Sequence, residues 1–339
     1  MLFYEWTPVL LLLALALDAV VGDPDWLWRS FPHPVVIMGR TIERFDLCFN
    51  RPKQSEKLRR NWGMAMLAFL VAASIGTGLA IAGMARLYPI GIFLEVVVVA
   101  ALLAQRSLYQ HVAQVSHAFK DNGLDGARRS VAMIVGRDPD SLDSAGICRA
   151  SIESAAENFS DGVVAPAFWY LIAGLPGIIC YKIINTADSM VGHRTPRHAA
   201  FGWGSARLDD IINVFPSRSS GLIIAIAAAF AGGSTSSALQ AMARDAYDHR
   251  SPNAGWPEAA MAGALGLALA GPRSYEGKVI EDTWMNKSGR QSAEPADIDR
   301  ALRLLICACG VQFAIIAAIS LVVRCVASTP ATTMVFTPI

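Results

Sequence analysis

The chain has no surplus of positive charge: 29 Lys and Arg stand against 28 Asp and Glu, a net charge of +1. Without cations to displace counterions from a phosphate backbone, nucleic acid is not expected as a partner. Cysteine is scarce. The six residues Cys48, Cys148, Cys180, Cys307, Cys309 and Cys325 have neither zinc-site spacing nor the density of a disulfide framework, so they read as reduced packing residues. No GxxxxGK[ST] loop, GxGxxG, HExxH or GxSxG motif occurs, which leaves no standard nucleotide, zinc or serine-nucleophile site to assign. The amino terminus also lacks a secretory signal's basic n-region. Met1 to Gly22 carries Glu5 and runs into Asp18 rather than a small-residue cleavage site, so it reads as a retained first span.

What the chain has in abundance is apolar sequence, 53% of its 339 residues, with a mean hydropathy of +0.39. A bilayer crossing needs about 20 apolar residues. Phe3 to Val21, Met64 to Ala85, Leu87 to Leu103 and Leu304 to Val323 meet that requirement. Val163 to Cys180 is long enough but interrupted by Pro166, Gly174, Pro176 and Gly177, while Leu222 to Gly233 and Ala259 to Gly271 are short. The expected fold is all-α: one polytopic helical membrane domain over 1–339, with about four full spans plus short re-entrant or interfacial helices.

Asp23 to Asn61 carries Arg29, Arg40, Arg44, Arg51, Lys53, Lys57, Arg59 and Arg60, whereas the turn between the second and third spans has only Arg86. Basic residues mark cytoplasmic loops, so 23–61, and with it the polar segments 106–162 and 182–219, are expected as loops in the cytoplasm. Span 304–323 closes the domain. Hydropathy leaves open whether the two short apolar stretches dip in and return or each cross. Glu276 to Asp299 is polar and without apolar periodicity, and reads as a surface loop.

Three polar clusters carry candidate chemistry. In Gly146 to Gly162, Arg149, Glu153, Glu157 and Asp161 recur at four-residue steps, forming one slowly drifting acidic stripe on a helix. Carboxylates so close need neutralising, and Mg²⁺ would do it; a solvated helix face with an Arg149–Glu153 ion pair is the plainer alternative. Tyr181 to Asn213 is polar and glycine-rich between apolar flanks. Its Lys182, Arg194, Arg197 and Arg207 suit anionic groups, Asp188, Asp209, Asp210 and Asn213 offer hard oxygen ligands, and His193 and His198 suit proton transfer. Arg244 to Glu258 crowds Asp245, Asp248, His249, Asn253 and Glu258 around two prolines; a capped surface turn is the plainer alternative. Trp26 and Trp28 beside His33 read as interfacial anchors, and Asp18 and Glu95, inside apolar runs, must face protein or stay protonated. These residues by themselves reach a membrane enzyme that handles anionic substrates with a divalent metal.

At these clusters longer wording stands out: GICRASIESAAENFSDGVVAPAFWY, YKIINTADSMVGHRTPRHAAFG, SARLDDIINVFPSR and RDAYDHRSPNAGWPEAAMAGALG followed by GPRSY. With Asp18 to Pro24 and His33 to Val35, they closely resemble the CobD/CbiB family of cobalamin biosynthesis proteins, the adenosylcobinamide-phosphate synthases, over roughly residues 10–280. The resemblance implies a multi-pass enzyme of the bacterial inner membrane with its active site facing the cytoplasm. It implies an ATP-driven amide bond between adenosylcobyric acid and (R)-1-amino-2-propanol or its O-phosphate. A corrinoid, a small phosphorylated amino alcohol, membrane lipid and other late-pathway enzymes are the expected partners, and ATP with Mg²⁺ the expected cofactors.

Within that reading Glu153, Glu157, Asp161, Asp209 and Asp210 are candidates for the metal. Lys182, Arg194 and Arg207 would stabilise phosphate charge, and His193 or His249 would take the amine proton. Asp23, His33, Arg149, Asn158, Asn185, Asp188, Asn213, Arg244, Asp245, Asn253 and Glu258 are candidates for substrate binding. Cytoplasmic ATP favours re-entrant or interfacial placement of the two short apolar stretches. The rival readings are a Mg²⁺-dependent membrane transferase acting on a lipid diphosphate through Asp209-Asp210, and a transporter. A transporter would place its polar residues inside spans, whereas here they are expected in loops.

Overall fold

The computed structural model describes residues 5–135, 142–275, 278–280 and 282–328. Helices α1 (Thr7–Val20), α2 (Asp25–Ser30), α3 (Pro34–Phe49), α4 (Glu56–Leu87), α5 (Pro89–Leu102), α6 (Gln105–Val131) and α7 (Ser144–Phe159) come first. One π-helical turn at Ser160–Val164 leads straight into α8 (Ala165–Val191). Then come α9 (Trp203–Ile212), α10 (Val214–Ala228), α11 (Thr235–Asp245), α12 (Gly255–Leu265) and α13 (Pro295–Ser328). Among the described residues the little sheet consists of β1 (Leu269–Ala270) paired antiparallel with β4 (Trp284–Met285), and β2 (Arg273–Tyr275) with β3 (Lys278–Ile280).

Four continuous helical stretches are long and apolar enough to cross a bilayer: Glu56–Leu87, Ile90–Val131, Ser144–Val191 and Pro295–Ala327. The protein is thus an all-α polytopic architecture with shorter apolar helices packed among the long ones. The membership of that set differs from expectation. Of Phe3 to Val21, residues 3 and 4 lie outside the described ones, and the rest holds the 14-residue α1, about 21 Å of helix at 1.5 Å per residue against ~30 Å of hydrocarbon. Val163 to Cys180, doubted for its prolines and glycines, lies inside the longest stretch. Pro166 follows closely on the π turn, where the wider turn already departs from the regular i→i−4 ladder, and the missing N–H does not end the helix. Gly174 adopts φ 61° and ψ −148°, which kinks the helix without ending it. Helix α4 crosses at that kink, where a Cβ on Gly78 would stand 2.5 Å from Pro176 Cα.

The segments read as polar loops are largely helical. Segment 106–162 is α6 and α7, with residues 136–141 outside the described ones; 182–219 holds the end of α8, all of α9 and the start of α10; 23–61 holds α2, α3 and the start of α4. Their polar residues satisfy helix amphipathicity rather than loop hydration. Glu276 to Asp299 contains β3, β4 and the first turn of α13, with residues 276, 277 and 281 outside the described ones. Leu222 to Gly233 ends α10, which meets α9 at a 49° bend. Ala259 to Gly271 is most of α12 plus β1, and α12 is buried along its whole length. Eleven alanine-rich residues, about 16 Å long, make it a core helix rather than a crossing.

Three apolar clusters hold the helices together. The largest joins α6, α7, α10, α11, α12 and α13, the second α1, α5 and α8 with Ile316 of α13, and the third α3, α4, the end of α8 and Phe201. All six cysteines are free thiols. The charges inside apolar sequence find protein partners. Asp18 accepts from the first backbone N–H of α6, Gln105 N at 2.7 Å, and from Gln105 Nε2 at 3.3 Å; Glu95 accepts from the Tyr170 hydroxyl at 2.7 Å.

Candidate functional site

The long helix from Ser144 to Val191 and the short α9 beside it organise the polar residues. Helix α9 is pinned at both ends: Arg60 of α4 lies 3.5 Å above the Trp203 ring, and Trp169 Nε1 donates to Ile212 O at 3.1 Å. The segment before it tucks in so tightly that a Cβ on Gly202 would lie 1.6 Å from Val191 O. Being consecutive on α9, Asp209 and Asp210 point about 100° apart, and they serve different surroundings.

Asp209 is buried and faces α8. It accepts from Asn185 Nδ2 at 3.3 Å and from Asn213 Nδ2 at 2.9 Å. The same Asn185 amide donates to Asp161 Oδ2 at 3.4 Å, so one side chain bridges the two carboxylates. Tyr181 donates to Asn213 Oδ1 or to Asp161 O, each 3.1 Å away, and fixes the far side. Asp161 interacts electrostatically with Asp209, Glu157 and Lys182, and Lys182 with Asp161, Asp23 and Asp18. Residues from four distant parts of the chain therefore meet here. The π turn places Asp161 where it does: the extra residue per turn rotates the carboxylate relative to α7, a device frequent at functional sites.

This network forms one wall of a cavity of about 470 Å³ whose lining includes Asn158, Asp161, Lys182 and Asn185. Ser107 and His111 of α6, Ser154 of α7, and Met133 to Val135 complete it. Asp210 fronts a second cavity of about 530 Å³, with Arg194, Arg207, Arg218, His249 and Arg250 around it. Arg207 lies 3.7 Å from Asp210. Arg218 donates to Val214 O and stacks 4.5 Å from the Trp256 ring. Arg250 pairs with Asp282 at 3.2 Å. Asn253 fastens this wall to α9 by donating to Asp210 O at 2.8 Å, while accepting from Ser217. Four guanidiniums against one carboxylate make the second cavity suited to a phosphate-bearing group.

The segment carrying His193 and Arg194 is held from below. Asp46 of α3 accepts from Arg197 Nε at 3.0 Å and Nη2 at 2.5 Å, and from Asn50 Nδ2 at 2.6 Å. His198 Nε2 is 3.5 Å away, and Arg59 of α4 donates to the carbonyls of Pro196 and Arg197. Burial pushes the Asp46 carboxyl up, but the hydrogen bonds from Asn50 and Arg197 and the nearby positive charge outweigh it and hold it below its ordinary 3.8.

Several expected site residues stand elsewhere. Glu153 is buried and accepts from Ala270 N at 2.8 Å, and Arg149 donates to Gln291 O at 2.7 Å. The acidic stripe thus divides: its amino-terminal half anchors the strand region, while at its carboxy-terminal end Asp161, turned by the π turn, reaches the cavity and Glu157 acts on that carboxylate through its charge. Arg244 and Asp245 form a paired fork at 2.6 and 2.7 Å that also accepts from Asn286 N, and they line neither cavity. His33 caps α3 through Nδ1 and lies 3.2 Å from Asp23. His249 does line the second cavity, but its Nδ1 accepts from Ser251 N and its Nε2 lies 3.5 Å from the buried Glu258. Asp188 interacts with Asp210 and His193 at the edge of the second cavity. His111, Ser107, Ser154, Arg218, Tyr247 and Arg250 escaped the sequence reading, because their helical or turn context carries no spacing that marks them.

Among the described residues no three His, Cys, Asp or Glu side chains are placed to hold a metal ion. The five-carboxylate set is therefore not assembled: Glu153 is committed to Ala270, and Asp210 to the other cavity. What remains is the Asn185-bridged pair Asp161 and Asp209. Two carboxylates, with water and substrate phosphate completing the shell, are what Mg²⁺ takes when it is not caged by protein alone.

Fold and site together define a polytopic helical membrane protein with two polar cavities. The CobD/Cbib protein family matches residues 11–305, and the chain belongs to that family. A cobalamin biosynthesis protein CobD of Rhizobium meliloti is 48% identical over 310 residues, 90% of this chain and 94% of the relative. Its namesake in Brucella suis is 49% identical over 317 residues, 93% and 97%, and that of Rhodobacter capsulatus 45% over 300 residues, 87% and 91%. No solved structure matches.

Proposed function

We propose that this chain acts in cobalamin biosynthesis as an ATP-dependent ligase, forming the amide bond between adenosylcobyric acid and (R)-1-amino-2-propanol or its O-phosphate. The observation that carries the proposal is a pair of polar cavities, one walled by Asp161, Lys182 and Asn185, the other by Arg194, Arg207 and Arg218, tied together through Asn185 of the first, which donates to Asp209, the neighbour of Asp210 in the second. Joining an acid to an amine needs two ligand sites sharing a boundary, and a carboxylate becomes an acyl donor only when activated. A nucleoside triphosphate supplies that activation, leaving a phosphoryl leaving group on the propionate. Lys182 offsets the charge on that group, and Asp161 and Asp209 would hold Mg²⁺ against its oxygens. Arg194, Arg207 and Arg218 orient the phosphate of the second substrate, so that its nitrogen meets the acyl carbon near Asn185. Orientation of two bound reactants removes much of the entropic barrier to their union.

The reading places the two cavities on the cytoplasmic side of the inner membrane, where ATP is available. The apolar exterior of α4 and α13 suits a large amphipathic corrinoid resting at the bilayer surface. A lipid-diphosphate transferase is disfavoured because Asp209 is turned onto Asn185 and Asn213 while Asp210 fronts the second cavity, so the two do not act as one chelating pair. The transporter reading gains from the kink at Gly174 and from polar residues lying on helices, and uptake of labelled corrinoid by vesicles containing the protein is its test. Purified protein mixed with cobyric acid, the amino alcohol or its phosphate, and ATP-Mg²⁺ should yield a corrinoid heavier by the amine less water. A corrinoid of unchanged mass sinks the proposal.

A further inference from the structure

Amide formation requires that the attacking nitrogen lose a proton, and the two histidines expected for that task do not fit it. His249 has Nδ1 accepting from the Ser251 amide and Nε2 facing Glu258, and His193 lines neither cavity. Of the other four, His33 has one nitrogen on Val35 N and the other beside Asp23, while His198 lies between Thr195 and Asp46. His117 also lines neither cavity. That leaves His111, on the α6 wall of the first cavity with Asp161, Lys182 and Asn158.

The tautomer of His111 follows from its own helix. Its Nδ1 lies 2.7 Å from the carbonyl oxygen of Ser107, one turn back, with Ser107 Oγ more distant at 3.4 Å. A carbonyl oxygen only accepts, so Nδ1 carries the hydrogen, and a neutral imidazole then keeps its lone pair on Nε2. Since Nδ1 is turned back onto α6, Nε2 is on the side of the ring away from the helix. The ring is exposed, so this lone pair is presented rather than packed away.

Resting on the ligase reading above, we propose that His111 is the general base of the first cavity, taking the proton from the amine nitrogen as it attacks the activated propionate. The carbon–nitrogen bond forms and the carbon–oxygen bond to phosphate breaks, its electron pair leaving on phosphate. The proton from nitrogen passes to His111 Nε2 and returns to the departing phosphate or to water. Ser107 is the positioning residue, because its carbonyl holds the ring in the basic tautomer.

A positioned base contributes roughly 10²- to 10⁴-fold, so His111→Ala should lower kcat by that order with the KM of the amine little changed. His111→Asn, whose amide can still donate towards Ser107 O but which has no basic nitrogen, should be as slow. Added imidazole should restore part of the rate to His111→Ala and none to Asp161→Asn. Full activity in His111→Ala, recovery in His111→Asn, or no rescue by imidazole would each overturn the assignment while an active wild-type protein keeps the ligase reading intact. Wild-type protein that forms no amide at all defeats the ligase reading, and with it the base.

Discussion

Removing the Asp46 carboxylate should loosen the segment that delivers Arg194 to the second cavity. The side chain accepts from Asn50 and from two nitrogens of Arg197. A hydrogen bond to a charged group is worth ~1.5–3 kcal/mol. The Asn50 bond is buried and keeps that value, whereas the Arg197 side chain is 48% exposed, and solvent screening reduces its share to about 1 kcal/mol or less. Asp46→Ala should therefore cost roughly 2–4 kcal/mol, raising the open population of residues 192–202 by about 30- to 700-fold. Tryptic cleavage after Arg194 and Arg197 in detergent reads that opening directly. The pH dependence carries a definite sign. Because folding lowers the carboxyl below 3.8, its contribution is complete above that unfolded value and is lost as pH falls through the lower folded one. Asp46→Asn should flatten stability in that acidic window. Cleavage of Asp46→Ala at the wild-type rate would refute the idea that this network holds the segment.

Gly202→Ala should destabilise the protein by at least about 1–3 kcal/mol, read as a lower thermal midpoint in detergent, because the added methyl meets Val191 O at 1.6 Å. Arg207→Ala should raise the KM of a phosphorylated amine by roughly 10- to 100-fold and leave that of the free amino alcohol nearly unchanged, since a desolvated charge-assisted contact is worth ~1.5–3 kcal/mol. Asp209→Asn should lower kcat by about 10²–10³ with the protein still folded, as judged by a thermal midpoint near that of wild type. Asp245→Ala should cost ~1–3 kcal/mol of stability by stranding the Asn286 amide, while kcat at saturating substrate stays at the wild-type value.

Much of the fold is legible in the apolar runs, and the exceptions have physical causes. Composition treats Pro166 and Gly174 as breaks, but a proline beside a π turn, where the ladder is already irregular, and a single glycine at positive φ bend a helix that neighbours then hold. Phe3 to Val21 is apolar enough to span, yet its described part is an α-helix only over Thr7–Val20, and Asp18 ends the apolar face by capping α6. The site was legible as clusters but not as partitions. Helical spacing places Glu153 and Asp161 on one stripe without showing that β1 claims the former. Adjacent Asp209 and Asp210 read as a pair because sequence does not say that α9 buries the former against Asn185 and Asn213 and turns the latter to the second cavity. His111 left no mark, since its role depends on a carbonyl one turn away and on Lys182, 71 positions further along the chain.

The most direct test of where the chemistry occurs is photolabelling of the active protein with an amino alcohol phosphate bearing a photoreactive group, followed by mapping of the labelled peptides. Label is predicted on the peptides that line the two cavities, around Asn158 to Gly162, Lys182 to Asn185 and Ala206 to Arg218, and should be lost when excess unlabelled amine competes. Competable label confined to the α4–α5 turn around Arg86 would contradict the account.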